Sequence, residues 1–190
     1  MQKRNKYIFI LLGVGALLLL TKKAKAMSFK FTNFKKAIAS KLITIQSALI
    51  ELGLTETQLK LVLAQVLFET GAFTRKSRVA ELNNNFSGIK YICRPSVQKN
   101  ASKGSPVPPT ERVKPDDICY NFYAKFPTFK DWAVDYVRIL SLKRTKNKIG
   151  RPIDAENVNE FVKRLKLNDY FGSNEESYAK GVKYYFDLLI

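Results

Sequence analysis

The sequence predicts a mostly α-helical domain with one small irregular or β insertion, preceded by an N-terminal hydrophobic helix. Three observations support this prediction. Several segments carry apolar residues at helical spacing, five prolines fall between residues 94 and 117, and an apolar run near the N-terminus is bounded by basic residues. With 190 residues, 46% of them hydrophobic, the chain is long enough to bury one core.

The first half of the chain predicts two long helices. Apolar residues recur from Phe34 to Leu52, and Gly53 ends that stripe. Thr55 and Gln58 then have the spacing of a capping box and begin a second helix. This helix is apolar nearly all round, so we expect it to be buried in the middle of the domain, and Gly71 ends it.

The second half predicts shorter elements. Three helices are expected, each beginning at a capping residue, with a turn-rich stretch and a short strand before them. In chain order these are the turns at 83–91, a strand from Ile118 to Phe122, a helix from Phe129 to Leu142 capped by Thr128, a helix from Asp154 to about Leu167, and a last helix that begins at Ser173 with Glu176 and ends near Ile190.

Residues 1–26 form a separate segment. Basic residues precede and follow an apolar run of about 14 residues from Tyr7 to Leu20, which is shorter than the roughly 20 residues of a membrane-spanning helix. Residues 24–26 (AKA) have the form of a signal-peptidase site. Three interpretations stay open: a retained membrane anchor over about residues 7–21, a cleaved signal segment, and a buried helix. The first two place residues 27–190 at or beyond a membrane.

The chain is strongly basic. It has 33 Lys and Arg against 16 Asp and Glu, a net charge of +17, and removing the six basic residues of positions 1–26 leaves +11 on residues 27–190. Such a field attracts polyanions such as nucleic acid, anionic lipid or the acidic polymers of a bacterial envelope. The alternative is a solvated basic surface that binds no specific partner, because the charges are scattered along the sequence.

The composition also excludes several chemistries. Histidine is absent, which rules out Ser-His-Asp and Cys-His catalysis and histidine-ligated metal. Cys93 and Cys119 are too few for a four-thiolate metal site, so no metal or cofactor is expected. They bracket the proline-rich insertion, and either a disulfide or two free thiols fit this spacing.

One acid is distinctive. Glu69 stands at the end of the most apolar helix, where loss of water favours the neutral form of a carboxyl and raises its pKa. A carboxyl that keeps its proton near neutral pH is what cleavage of a glycosidic bond requires. The alternative is a solvated residue at a helix end.

The surroundings of Glu69 resemble a known family. Residues 63–71 (LAQVLFETG) and 84–90 (NNFSGIK) are similar to the glucosaminidase domain of glycoside hydrolase family 73, whose pattern is A-Q-x-x-x-E-[ST]-G followed by N-N-x-F-G-[IM]-K. Ser87, between Phe86 and Gly88, departs from that pattern. Looser matches follow at 124–137 (AKFPTFKDWAVDYV) and 169–179 (DYFGSNEESYA), so that the resemblance covers roughly residues 34–190.

The resemblance implies a lysozyme-like fold and cleavage of the β-1,4 bond after N-acetylglucosamine in peptidoglycan. It implies that Glu69 is the general acid. It also implies a second acid in the insertion, for which Glu111 is the best match, with Asp116 and Asp117 as alternatives. A family tyrosine near the sugar corresponds to Tyr170, with Tyr178 second.

Four other residues are candidate substrate contacts. Asn84 and Asn85 can hydrogen-bond acetamido or hydroxyl groups, and Phe86 and Tyr91 offer ring faces to a sugar. The alternative for residues 83–85 is a plain turn, because Asn tolerates left-handed backbone.

The resulting hypothesis is a membrane-tethered or exported peptidoglycan hydrolase from a bacterium or a bacteriophage. It faces the periplasm, the cell wall or a virion membrane, and it is secreted if the leader is cleaved. The product would be hydrolysed if water attacks and an anhydro sugar if the substrate attacks itself, as in a lytic transglycosylase. Two other classes stay open: a glycan-binding module without activity, and a basic nucleic-acid protein, for which the sequence shows no motif.

Overall fold

The computed structural model describes residues 29–73, 78–93, 98–108, 119, 121–144 and 148–190. The chain divides into two compact units, residues 1–30 and 31–190, and only Phe29 and Lys30 of the first unit are described. The predicted apolar helix at residues 7–20 lies outside the described residues. Among the residues that are described, we find no helix with the length and apolar character needed to cross a membrane.

The second unit is mostly helical, with one small sheet, and this arrangement fits a lysozyme-like α+β fold. Its elements, in chain order, are α1 (Lys36–Glu51), α2 (Glu56–Glu69), α3 (Arg78–Asn83), β1 (Ser102–Pro106), β2 (Phe122–Lys125), α4 (Phe129–Leu140), a 3-10 turn (Pro152–Asp154), α5 (Val158–Leu167) and α6 (Glu175–Leu188). The short helix α3 was not predicted; it directly precedes the turn-rich stretch at 83–91 and shares only Asn83 with it.

Helix α2 is the centre of the core. Every residue from Leu61 to Leu67 is buried, as its all-round apolar sequence predicts. The predicted capping box is confirmed: the backbone N–H of Gln58 donates to Oγ1 of Thr55, and the backbone N–H of Thr55 donates to Oε1 of Gln58. Helices α1 and α6 both pack against α2, and α4 packs against α1.

Helix α6 approaches α2 closely at one glycine. A Cβ atom placed on Gly181 would lie 2.1 Å from Cε2 of Phe68, so any larger residue would collide with that ring. This contact fixes how α6 lies along α2. It brings Tyr178, one turn before Gly181, beside the end of α2.

The small lobe is a two-stranded antiparallel sheet. Strand β1 pairs with β2 in the register Ser102↔Lys125 and Lys103↔Ala124, and the pairing shifts by one residue before Pro106↔Phe122. A single bridge from Lys90 to Tyr123 attaches the segment after α3 to the same sheet. The predicted β insertion is therefore present, and its second strand is Phe122–Lys125. Of the strand predicted from Ile118 to Phe122, the structure describes residues 119, 121 and 122, and only Phe122 belongs to this strand.

Two predicted helix starts are wrong. Helix α5 is capped by Asn157, whose side chain accepts from the backbone N–H of Glu160, whereas Asp154 ends a separate 3-10 turn. Helix α6 is capped by Asn174 and not by Ser173. In both places several capping residues stand close together, and the sequence alone does not rank them.

The cysteines form a disulfide. Cys93 and Cys119 are joined across 26 residues with their Cα atoms 5.4 Å apart. Of the two alternatives that the sequence left open, the structure selects the bridge. It closes the base of the proline-rich insertion.

We predict that this bridge stabilises the domain. Replacing both cysteines (Cys93→Ser with Cys119→Ser) should lower the free energy of unfolding by about 3 kcal/mol, because the unfolded chain regains the entropy of an open loop. Urea unfolding measures this loss. The control is the wild-type protein under reductant, which should match the double variant, while the double variant should not respond to reductant. Equal stability of all samples would contradict the prediction.

Candidate active site

Glu69 is the last residue of α2, and the chain turns sharply after it. Thr70 closes the helix by donating from Oγ1 to the carbonyl of Val66 at 2.7 Å. Gly71, Ala72 and Phe73 then all have positive φ, between 52° and 57°. Left-handed backbone at two consecutive non-glycine residues is unusual and costs free energy. The helix therefore stops abruptly and leaves the Glu69 side chain at its end.

The Glu69 carboxyl is both accessible and partly desolvated. Its side chain is exposed to solvent, yet the surrounding protein atoms displace enough water to raise its pKa above the ordinary value near 4.5. A hydrogen bond from Tyr178 lowers that pKa by a smaller amount. An acid with these two properties can hold a proton and still deliver it to an outside molecule.

Tyr178 is the direct neighbour of Glu69. Its hydroxyl donates to Oε1 of Glu69, and its ring is buried between Phe171, stacked at 3.9 Å, and Phe68, edge-on at 4.8 Å. Burial, and then the charge of Glu69, raise the pKa of the Tyr178 phenol. It therefore stays protonated and acts as a fixed donor to the carboxyl.

Behind Tyr178 lies a buried chain of hydrogen bonds. The amide Nε2 of Gln65 donates to the Tyr178 hydroxyl at 2.9 Å, and the hydroxyl of Tyr136 donates to Oε1 of Gln65. Gln65 and Tyr136 are both fully buried. Gln65 is part of the motif at residues 63–71, but neither residue was predicted to have a role. The available signal for Gln65 was a polar residue within a helix that is apolar nearly all round.

The loop at 84–90 lies against the acid. A Cβ atom on Gly88 would stand 4.0 Å from Oε2 of Glu69, and Gly88 has φ of 63°. The absence of a side chain here keeps this approach to the carboxyl open, and the backbone conformation also favours glycine.

Ser87 anchors this loop to two aromatic residues. Trp132 donates from Nε1 to Oγ of Ser87 at 3.0 Å, and the Tyr170 hydroxyl donates to the Ser87 carbonyl at 2.6 Å. The residue that departs from the family pattern is therefore tied into the core. Tyr170, the first candidate from the family resemblance, contacts this loop, and Tyr178, the second, contacts Glu69.

Three of the predicted substrate contacts have mainly structural surroundings. Asn85 is buried and donates to the carbonyls of Ile89 and Ala124, at 2.8 and 3.0 Å. Phe86 is buried among other aromatic rings, with Phe129 stacked on it at 5.1 Å. Asn84 is half-buried with φ of 48° and donates to the Phe126 carbonyl. These contacts shape the loop, and we do not carry Asn85 and Phe86 forward as sugar contacts.

The remaining predicted residues are Tyr91 and the second acid. Tyr91 is half-buried, and its backbone N–H donates to the carbonyl of Phe122 in the small lobe. Glu111, with its alternatives Asp116 and Asp117, lies outside the described residues. Within the part of the chain that is described, no group of three or more potential metal ligands comes together.

Comparison with known proteins gives a family match. The family model described as glucosaminidase, mannosyl-glycoprotein endo-beta-N-acetylglucosaminidase, matches residues 44–188, which is most of the chain. That range contains Glu69, Gln65, Tyr136 and Tyr178. No curated protein and no solved structure matches the chain.

We predict that Gly88 is needed for activity, and not only for stability, because it lies beside Glu69. Gly88→Ala and Gly53→Ala both force alanine into positive φ, so each should lose about 1 kcal/mol of stability. A Cβ atom at Gly53 meets nothing within 4 Å, whereas one at Gly88 faces the carboxyl. Release of sugar reducing ends from purified peptidoglycan should fall about tenfold or more for Gly88→Ala only. Equal rates for the two variants would overturn this prediction.

Proposed function

The chain belongs to the glucosaminidase family, glycoside hydrolase family 73, and is a glycoside hydrolase; from this premise we propose that it cleaves the glycan strand of peptidoglycan, with Glu69 as general acid. The bond cleaved is the β-1,4 bond after N-acetylglucosamine. The observation that carries this proposal is the accessible Glu69 carboxyl, whose pKa is raised by desolvation and which Tyr178 holds in place.

In the proposed reaction, Glu69 gives its proton to the glycosidic oxygen as that bond breaks. Positive charge then develops at the sugar, as in an oxocarbenium ion. Glu111 is the proposed second acid, which would activate a water for attack from the other side. The alternative is attack by the substrate itself, which gives an anhydro product. The Tyr178 hydroxyl stabilises the carboxylate that Glu69 becomes after proton transfer.

The proposed substrate is the bacterial wall. The family description names a mannosyl-glycoprotein endo-beta-N-acetylglucosaminidase. Residues 27–190 carry a net charge of +11, which favours binding to an anionic envelope polymer. This attraction supports peptidoglycan as the substrate, and it would weaken with added salt.

The proposed location is outside the cytoplasm. The Cys93–Cys119 disulfide supports an oxidising compartment, because thiols are kept reduced in the cytosol. The apolar run at residues 7–20 supports either a membrane tether or an export signal. We propose a domain that faces the cell wall, from a bacterium or a bacteriophage.

We predict that Glu69→Gln abolishes cleavage and leaves the fold intact. The variant keeps the shape of the side chain but has no acidic proton, and loss of general acid catalysis costs about 10²–10⁴-fold in rate. Digested peptidoglycan is analysed by mass spectrometry, which also separates hydrolysed from anhydro products. The matched control is Glu56→Gln, at the exposed first turn of the same helix, which should keep full activity.

Wild-type rates for Glu69→Gln would contradict the assignment of the acid. Glycan pull-down by a wild-type protein that releases no sugar would instead support a binding module. Cleavage of a mannosyl-glycoprotein but not of peptidoglycan would overturn the proposed substrate.

We also predict a pH dependence with a definite sign. Glu69 must be protonated to act as an acid, so kcat should fall as pH rises through its raised pKa. The same shift favours the folded state at low pH, and this contribution is lost as pH rises through the folded pKa. Above that pH, Glu69→Gln should therefore be at least as stable as the wild type in urea unfolding. A clearly less stable variant at high pH would contradict the desolvated site.

A further inference from the structure

The hydrogen-bonded chain behind Glu69 contains two residues to which the proposed mechanism gives no role. They are Gln65, on α2, and Tyr136, on α4. We infer that these are positioning residues. Tyr136 orients the carboxamide of Gln65, and Gln65 in turn directs the Tyr178 hydroxyl proton toward Oε1 of Glu69. The acidic proton of Glu69 itself is thereby placed on Oε2. This inference rests on the proposed role of Glu69 as general acid.

The first step is the orientation of the Gln65 carboxamide. Tyr136 has one hydroxyl proton and donates it to Oε1 of Gln65. Both side chains are fully buried, so no water replaces this bond if the amide turns over. The donated proton therefore fixes Oε1 on the side of Tyr136 and Nε2 on the side of Tyr178.

The second step is the direction of the Tyr178 hydroxyl. The Nε2 group of Gln65 donates to the Tyr178 oxygen at 2.9 Å. Because an N–H already points at that oxygen, the hydroxyl's own proton turns away from Gln65 and toward Oε1 of Glu69. Tyr178 thus acts only as a donor to the carboxyl.

The third step concerns the two oxygens of Glu69. Oε1 accepts the Tyr178 proton, and a second proton on the same oxygen would oppose it. The acidic proton therefore resides on Oε2, the oxygen that lies 4.0 Å from where a Cβ of Gly88 would stand. The chain thus selects the oxygen that faces the loop at 84–90 as the proton donor.

The opposite orientation has a distinct consequence. If the carboxamide were turned over, Nε2 would donate to Tyr136, and Tyr178 would donate to Gln65. Glu69 would then have to donate its own proton to Tyr178, which withdraws that proton from a substrate. The two orientations have opposite effects on the acid: a donor at Oε1 favours the carboxylate, whereas an acceptor there favours the protonated form.

The titratable groups around Glu69 do not change their charge in the pH range where Glu69 titrates. Among the described residues, the groups that face Glu69 are the phenols of Tyr178 on α6, Tyr170 on the segment before α6, and Tyr136 on α4. Burial raises the pKa of all three phenols, so they stay neutral while Glu69 titrates. The Tyr136 and Tyr170 hydroxyls also neighbour one another.

The test is the pH profile of two variants made in the full chain, Tyr136→Phe and Gln65→Met. Both keep the volume of the core and remove one link of the chain. We expect kcat on peptidoglycan to fall about tenfold, with KM changed less than about twofold. The basic limb of the kcat profile should move upward by about half a pH unit, because Tyr178 is held less firmly on the carboxylate.

Tyr184→Phe is the matched control, because it removes a phenol hydroxyl from α6 at a side chain that is 62% exposed. Its profile should match the wild type. Circular dichroism shows whether each variant is folded. If one of the two core variants does not fold, the other one decides the result.

A basic limb that moves downward would show the reversed orientation and overturn the inference. An unmoved limb would reduce Gln65 and Tyr136 to core packing and also overturn it. Glu69→Gln is measured in parallel: full activity there would reject the proposed function, whereas its inactivity beside an unmoved limb would reject the positioning chain alone.

Discussion

The candidate site depends on one constraint, which is that a helix buried over most of its second half ends with a carboxylic acid. Helix α2 is surrounded by α1 and α6, and every residue from Leu61 to Leu67 is buried. Desolvation at the end of such a helix is unavoidable, and it favours the neutral form of Glu69. The sharp turn at residues 70–73 ends the helix there and leaves the carboxyl accessible. Burial of most of the helix and exposure of its last side chain together leave a carboxyl that is partly desolvated and still accessible.

Desolvation raises the pKa of Glu69 but does not fix the orientation of its carboxyl group. Tyr178 supplies an opposing effect, because its hydrogen bond stabilises the ionised form and lowers the pKa that burial raises. The position of Tyr178 depends in turn on helix packing. The close contact of Gly181 with Phe68 sets α6 against α2, and stacking on Phe171 holds the ring. Gly181, which lies outside the matched motifs, therefore contributes to where the Tyr178 hydroxyl lies.

Much of this arrangement was predictable from local sequence, and the rest was not. The burial of α2, its capping box and the special position of Glu69 follow from periodicity and from neighbouring residues. Helix starts near Asp154 and Ser173 were wrong because Asn157 and Asn174 compete nearby with equally good caps. Which tyrosine contacts Glu69 depends on tertiary packing. Tyr178 and Glu69 are 109 residues apart in the sequence, and a contact over that separation leaves no local sequence signal.

Ser87 illustrates how a departure from a motif can be accommodated by the fold. It stands between Phe86, whose ring is buried among other aromatic rings, and Gly88. Hydrogen bonds at Ser87 add to that packing, because the Ser87 hydroxyl accepts from Trp132 and its carbonyl accepts from Tyr170. The loop is thereby drawn toward the core, and Gly88 lies beside Oε2 of Glu69. Tyr170 thus contacts the loop, while Tyr178 contacts Glu69.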